Sequence, residues 1–217
     1  MQTKDQEDIK DDARNLIIQS ARNIFGRFGY RKTTLEDIAK EAKKGKSSLY
    51  YYFDSKEELY MEVVKIEAKE LSEGIMKVLK QIVDPRESLY RYIYERTVRI
   101  GQFETLHEAV KDSSITDMEF ITPLRDRYLE DEISIIERFL KQGVSYGIFD
   151  IPNPTLVANT LVIAIKGYDQ PIIQRKFGLE SFNEKLHSLI SLLLKGITSD
   201  IERKRNYHLP LVENAVD

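Results

Sequence analysis

Apolar residues recur every three or four positions along most of this chain, and nowhere do they alternate for long. That period is the one of a helix with one buried face, so the chain is expected to be all-α. Leu16, Ile17, Ala21, Ile24, Phe25 and Phe28 form the stripe of a first helix over 13–28. Gly29 then ends it, because glycine accepts a left-handed cap without a Cβ clash. Thr34 is a good N-cap, with Asp37 three residues on, and Leu35, Ile38, Ala39 and Ala42 give a second helix its buried face. A third helix over 47–53 turns Leu49 and Phe53 inward and Ser47, Ser48 and Tyr51 outward, with Tyr50 and Tyr52 on the flanks. A fourth begins at Ser55-Lys56-Glu57-Glu58, a capping box, and carries Leu59, Val63, Ile66, Leu71, Ile75, Val78, Leu79 and Ile82 to about Val83. Asp84-Pro85 breaks it. Further helices are expected near 85–103, 105–112, 118–146, 154–175 and 181–198. The breaks fall at Gly101, Asp112-Ser113-Ser114, Gly147 with Pro152-Asn153-Pro154, and Gly178.

Between the second and third helices lies Lys43-Lys44-Gly45-Lys46. Three lysines in four residues suit a phosphate-facing turn better than a core. Two short helices joined by a tight turn have the spacing of a helix-turn-helix, whose second helix can enter a DNA major groove. The outward hydroxyls and rings can hydrogen-bond phosphates or base edges and pack on thymine methyls. Lys56 stands in the first turn of its helix, where a lysine opposes the dipole, and a DNA phosphate would explain it. Each feature alone is also ordinary surface; their conjunction near the N-terminus carries the reading.

FGRFGYRKTTLEDIAKEA, then KSSLYYYF, then SKEELY make the segment 13–64 resemble the DNA-binding domain of the TetR family of bacterial transcriptional regulators. The resemblance covers roughly the first quarter of the chain. It implies phosphate contact from Thr34 and Lys56, and base or phosphate contacts from Lys46, Ser47, Ser48, Tyr50, Tyr51 and Tyr52. The family usually has a Gly-Val-Ser-like turn between the two helices; Lys43, Lys44 and Gly45 stand there in this chain.

The net charge of −3 looks wrong for a DNA binder until it is located. Ten Lys/Arg against four Asp/Glu give residues 13–56 a charge of +6, which leaves −9 on the rest. A basic head on an acidic body orients a protein on DNA. With 217 residues and no cysteine, the chain has no disulfide framework, thiolate metal site or cysteine nucleophile. No signal peptide or membrane span is visible, and a cytoplasmic protein is expected. The organisation expected is a loose tail over 1–12, a helix-turn-helix domain over 13–56, a helical ligand-binding and dimerisation domain over 57–199, and a tail over 200–217.

In that larger domain aromatics gather: Tyr90, Tyr94, Phe103, Phe120, Tyr128 and Tyr168 are the candidates for a mostly apolar pocket with a few hydroxyls, suited to a small apolar or amphipathic effector. The last two helices carry broad aliphatic stripes, as helices packed on both sides do. The TetR resemblance implies that they pair with their mates in a homodimer, through Leu161, Ile165, Leu186, Leu189, Ile190 and Leu193. The expected partners are thus a palindromic operator duplex, a second copy and a small effector; no membrane, metal, cofactor or catalytic residue is expected. Two rivals come from other classes. A di-iron enzyme needs Glu-x-x-His on two helices; Glu104 to His107 and Glu184 to His187 have the spacing, but on the last helix Glu184 and His187 point away from the apolar centre. A helical adaptor that binds protein has no use for the basic turn. The reading that remains is a ligand-responsive DNA-binding regulator, a repressor released from its operator by effector.

Overall fold

The computed structural model describes residues 2–111, 118–173 and 179–203, with side chains over 10–110, 118–167 and 184–202. The expected breaks at Asp112-Ser113-Ser114 and Gly178, the tail from 204, and the side chain of Tyr168 lie outside the described residues. The chain runs α1 (Gln2–Lys32), α2 (Leu35–Glu41), α3 (Lys46–Tyr50), α4 (Lys56–Leu79), α5 (Pro85–Arg99), a 3-10 turn (Ile100–Gln102), α6 (Glu104–Lys111), α7 (Thr122–Ser145), α8 (Pro154–Ile173), α9 (Leu179–Ile197) and α10 (Asp200–Arg203). No strand occurs among the described residues; one antiparallel bridge joins Phe149 to Thr198. No described helix is long and apolar enough to cross a membrane.

Local chemistry sets the helix ends. Thr34 caps α2 with both arms of a capping box, its hydroxyl accepting from Asp37 N at 3.2 Å and its own N–H donating to Asp37 Oδ2 at 2.9 Å. Ser55 accepts from Glu58 N at 3.1 Å, while the Glu58 carboxylate takes the N–H of Asp54 rather than that of Ser55. Asp84 and Asn153 each precede a proline at the first helical position and accept an N–H two or three residues on. Gly29 sits at φ 76, ψ 166, and turns the chain out of helical geometry before Lys32. The polar start expected as a loose tail is instead the first part of α1, from Gln2. Glutamine, lysine and glutamate cost a helix little, and they continue one that is already nucleated.

The chain forms two compact units. The first comprises 1–74 and 99–126, the second 75–98 and 127–217. The division therefore differs from one at Lys56, because most of α4, with the 3-10 turn and α6, belongs to the first unit. Its core is Ile17, Ile18, Ala21, Ile24 and Phe25 of α1, Leu35, Ile38 and Ala39 of α2, Leu49, Phe53, Leu59, Tyr60, Val63, Val64, and Leu106 and Ala109 of α6. Leu16 and Phe28, expected in the stripe of α1, lie about half exposed, and Ile18 takes the inner position. Both stand at the edges of the helical arc. The Arg27 guanidinium covers the Phe28 ring from 5.1 Å.

In the second unit Leu89, Tyr90, Ile93, Ile136, Phe139, Leu140, Ala158, Leu161, Val162, Ile165, Leu186, Ile190 and Leu194 are buried. Gly143 meets the ring of Phe149 so closely that an added Cβ would stand 2.0 Å from it, which fixes glycine there. Inside this core the Arg96 guanidinium donates to Glu132, and both are buried. The second Glu132 oxygen accepts no hydrogen bond, with Lys166 Nζ 3.6 Å away.

Candidate nucleic-acid interface

α3 is short, and what positions it is the pair Leu49 and Phe53, 0% and 2% exposed. With that side anchored, the opposite side shows Ser47, Tyr50 and Tyr51 to solvent, Tyr50 at 48% and Tyr51 at 68% exposed. Large exposed rings next to hydroxyls are costly unless something covers them. Ser48 and Tyr52 are half-buried, and Tyr52 meets Tyr51 edge-on at 4.9 Å. Lys10 of α1 stands 5.3 Å over the Tyr51 ring. Five of the six hydroxyl side chains expected at the interface, all but Thr34, thus sit on one small helix and its end.

The turn before α3 has a definite form. Lys44 N–H donates to Ala39 O at 2.9 Å and Lys43 N–H to Lys40 O at 3.2 Å. These are the 6→1 and 5→2 bonds of a Schellman motif, with Lys43 in the left-handed position at φ 51. Lys43, Lys44 and Lys46 are all exposed.

The three remaining expected contacts are more constrained. The Thr34 hydroxyl is the cap of α2 and also donates to Asp37 at 2.7 Å. Lys46 pairs with Glu36 across the exposed surface. The hydrogen bond from Lys46 holds the Glu36 carboxyl below its usual range, and Glu36 in turn raises the ammonium. Lys56 donates to Tyr30 O at 3.0 Å and Thr33 O at 3.1 Å, with its Nζ 4.0 Å over the Tyr30 ring. It joins the end of α1 to the start of α4, which explains a lysine in the first turn without DNA and leaves one donor free for a phosphate.

Tyr30 is the hub of this unit. Its hydroxyl donates to Glu57, and its N–H donates to Glu108 of α6 at 2.9 Å. Its ring packs with Phe25, Tyr60 and Phe120. Burial, then the hydrogen bond to Glu57, raises the Tyr30 phenol; the same bond lowers Glu57. Glu67, buried, takes Arg22 Nε at 3.1 Å and Leu106 N–H at 2.7 Å, so a carboxylate of α4 caps the start of α6. Burial nonetheless leaves its carboxyl above the usual range. Sequence reasoning found neither Glu67 nor Glu108, because each acts on a group about forty or more residues away.

The five aromatic pocket candidates with described side chains divide between the two units. Phe103 and Phe120 belong to the first unit, where Phe120 packs on Tyr30 at 5.2 Å and Arg22 covers Phe103. Tyr90 and Tyr94 are buried in the second unit and stack on each other, and Tyr90 OH meets His187 Nδ1 at 3.0 Å. Tyr128 is half-buried beneath Lys166. The second unit does hold a cavity of about 10 Å³, room for one water. It is lined by Tyr92, Ile93, Arg96, Glu132, Ile136, Val162 and Ile165.

The interface candidates divide by burial. Leu161, Ile165, Leu186 and Ile190 are buried within the chain itself, so a partner cannot cover them; Leu189 and Leu193 are half-buried. Among the described residues, the large apolar side chains left exposed on these helices are Leu156, Ile163 and Leu192. No group of three or more metal-binding side chains occurs among the described residues.

Residues 17–63 match the family model of bacterial regulatory proteins, tetR family. The chain is 25% identical over 152 residues to YhgD of Bacillus subtilis (strain 168), an uncharacterized helix-turn-helix transcriptional regulator, covering 68% of this chain and 77% of that one. It is 39% identical over 79 residues to IcaR of Staphylococcus aureus, the negative regulator of the biofilm operon icaADBC. That match spans 36% of this chain and 42% of IcaR, less than half of the relative. The fold is similar to that of the transcriptional regulator FadR of Bacillus subtilis in complex with stearoyl-CoA. The TM-score is 0.69 at 18% identity, over 84% of this chain and 98% of that one.

Proposed function

We propose that the chain, whose residues 17–63 match the tetR family model, is a ligand-responsive, sequence-specific transcriptional regulator that represses from a palindromic operator. The observation that carries the reading is the outer side of α3. Ser47, Tyr50 and Tyr51 are exposed beside three lysines, on a helix fixed from behind by Leu49 and Phe53. Phosphate contacts set the register of such a helix, and base contacts from Ser47, Ser48 and the tyrosines specify sequence. Repression is favoured by the likeness, over 79 residues, to IcaR, a negative regulator.

The working unit is a homodimer, which places two reading helices about 34–36 Å apart, or a multiple of that, on successive grooves. Its interface is the outer side of α8 and α9, with Leu156, Ile163 and Leu192 at its centre and Leu189 and Leu193 beside them. The effector is a small apolar or amphipathic molecule bound in the second unit, as the acyl-CoA complex of a protein of this fold suggests. The cavity beside Arg96, Glu132 and Tyr92 would have to widen to admit it. Such a ligand releases the operator only if it binds the released state more tightly than the bound one.

Selection of bound sequences from a random duplex pool, at two salt concentrations, tests this reading. A palindrome should be enriched, with affinity falling steeply as salt rises. No enrichment at either concentration would point to a protein-binding adaptor instead.

A further inference from the structure

Lys43 is the one non-glycine residue with a positive φ among the described residues, at 51°. It occupies the left-handed position of the Schellman turn that ends α2, where glycine avoids a Cβ clash. The next position, held by Lys44, usually carries an apolar residue that folds back on the helix. This chain has lysine at both, and both are exposed. A strained, non-glycine residue kept in such a place points to function more than to stability.

The ion pairs of the same unit sharpen the point. Arg14 pairs with Glu62, Arg22 with Glu67 and Glu70, and Lys46 with Glu36, while Lys56 is bound to two backbone carbonyls. Lys43 and Lys44 have no carboxylate partner among the described residues. They directly precede Gly45 and the exposed side of α3. Lysines at the end of α2 also favour its dipole, which is the competing explanation for them.

We propose that Lys43 and Lys44 are the main phosphate-binding cations of the reading head, held by the strained turn at the leading edge of α3, ahead of Lys46 and Lys56. The proposal rests on the reading of the chain as a duplex-DNA binder and names the residues that anchor it to the backbone. A glycine at 43 suits the φ of this turn and removes the charge, so stability and DNA affinity should move in opposite directions.

The test uses the full chain and a mixed-sequence duplex, with affinity measured from about 50 to about 200 mM salt. Lys43→Gly should raise Tm by about 2–4 °C. It should also flatten log K against log salt by about 0.9 per reading head. Lys43→Arg should keep the slope, Lys44→Ala should flatten it, and Lys46→Ala should flatten it less than either. An unchanged slope in both Lys43→Gly and Lys44→Ala would overturn the proposal and leave the two lysines as partners of the helix dipole. Should Lys43→Gly fail to fold, Lys44→Ala, which keeps the left-handed residue, decides alone. Absence of salt-dependent binding by the unaltered chain to any duplex would instead remove the DNA-binding reading itself.

Discussion

The two units are built from the same kind of helix but held together differently. In the first, the helices that face outward are set by neighbours in sequence: Thr34 with Asp37, Ser55 with Glu58, and Leu49 with Phe53. In the second, the core contains a buried Arg96–Glu132 pair that joins α5 to α7 across 36 residues, and Arg86 bonds both Asp84 and Glu202. Short-range devices set the reading surface of the head, while Glu67 and Glu108 join its α1, α4 and α6 from farther along the chain. Long-range charged pairs give a body whose packing depends on a few satisfied contacts.

The largest effect that could break this contrast is at Arg96. Arg96→Met takes the guanidinium from the buried Glu132 carboxylate, with Lys166 Nζ remaining 3.6 Å from it, and should cost about 3 kcal/mol. Arg96→Met with Glu132→Leu should recover most of it, as buried pairs replaced by apolar groups often do. Thermal unfolding of both variants checks the pair; equal losses would mean that packing of the Arg96 stem, rather than its charge, holds the body. Next is Leu49→Ala. It should cost about 2–5 kcal/mol in the first unit and loosen α3, seen as faster amide exchange over 46–53, with protection of α7 retained. Loss of protection in both units together would show that they unfold as one, and would erase the distinction.

The smallest effect is a pH dependence. Burial alone would raise the Asp84 carboxyl, but the hydrogen bonds and charge of Arg86 outweigh it and leave it below its usual value. A carboxyl lowered by folding adds stability above its unfolded pKa of about 3.9, and that stability is lost as pH falls through the folded value. Asp84→Asn should therefore reduce stability at neutral pH and flatten its decline below about pH 4. Glu67 works in the other direction. Its raised carboxyl favours the protonated folded state, so its ionisation removes stability as pH rises through the folded pKa.

The contrast also explains what could be read from the sequence. The helix-turn-helix, its caps, and the starts of α5 and α8 at Asp84-Pro85 and Asn153-Pro154 depend on residues within four positions of each other, and they were legible. The aliphatic stripes of α8 and α9 were legible too, but not which side faced inward. A broad apolar helix carries no mark telling its own core from a partner's, so Leu161 and Ile190 were assigned outward and lie inside. Counting aromatics gathered Phe103 and Phe120 into the pocket, because periodicity cannot tell that the chain returns to the first unit at Arg99. The strained Lys43 was visible only as an unusual letter in a turn. Its φ made it a finding.

That return of the chain has a consequence for how the protein is made. The end of α1 is completed by Glu108, 78 residues beyond Tyr30, and the start of α6 by Glu67. On a ribosome adding about 5–20 residues per second, the head therefore waits several seconds after its own α1 to α4 emerge before its last helix arrives. During that interval the Tyr30 amide and the Tyr60 hydroxyl lack the carboxylate they later share. A nascent chain stopped before α6 thus lacks the carboxylate that completes the end of α1, which arrives only when about half of the polypeptide has been synthesised.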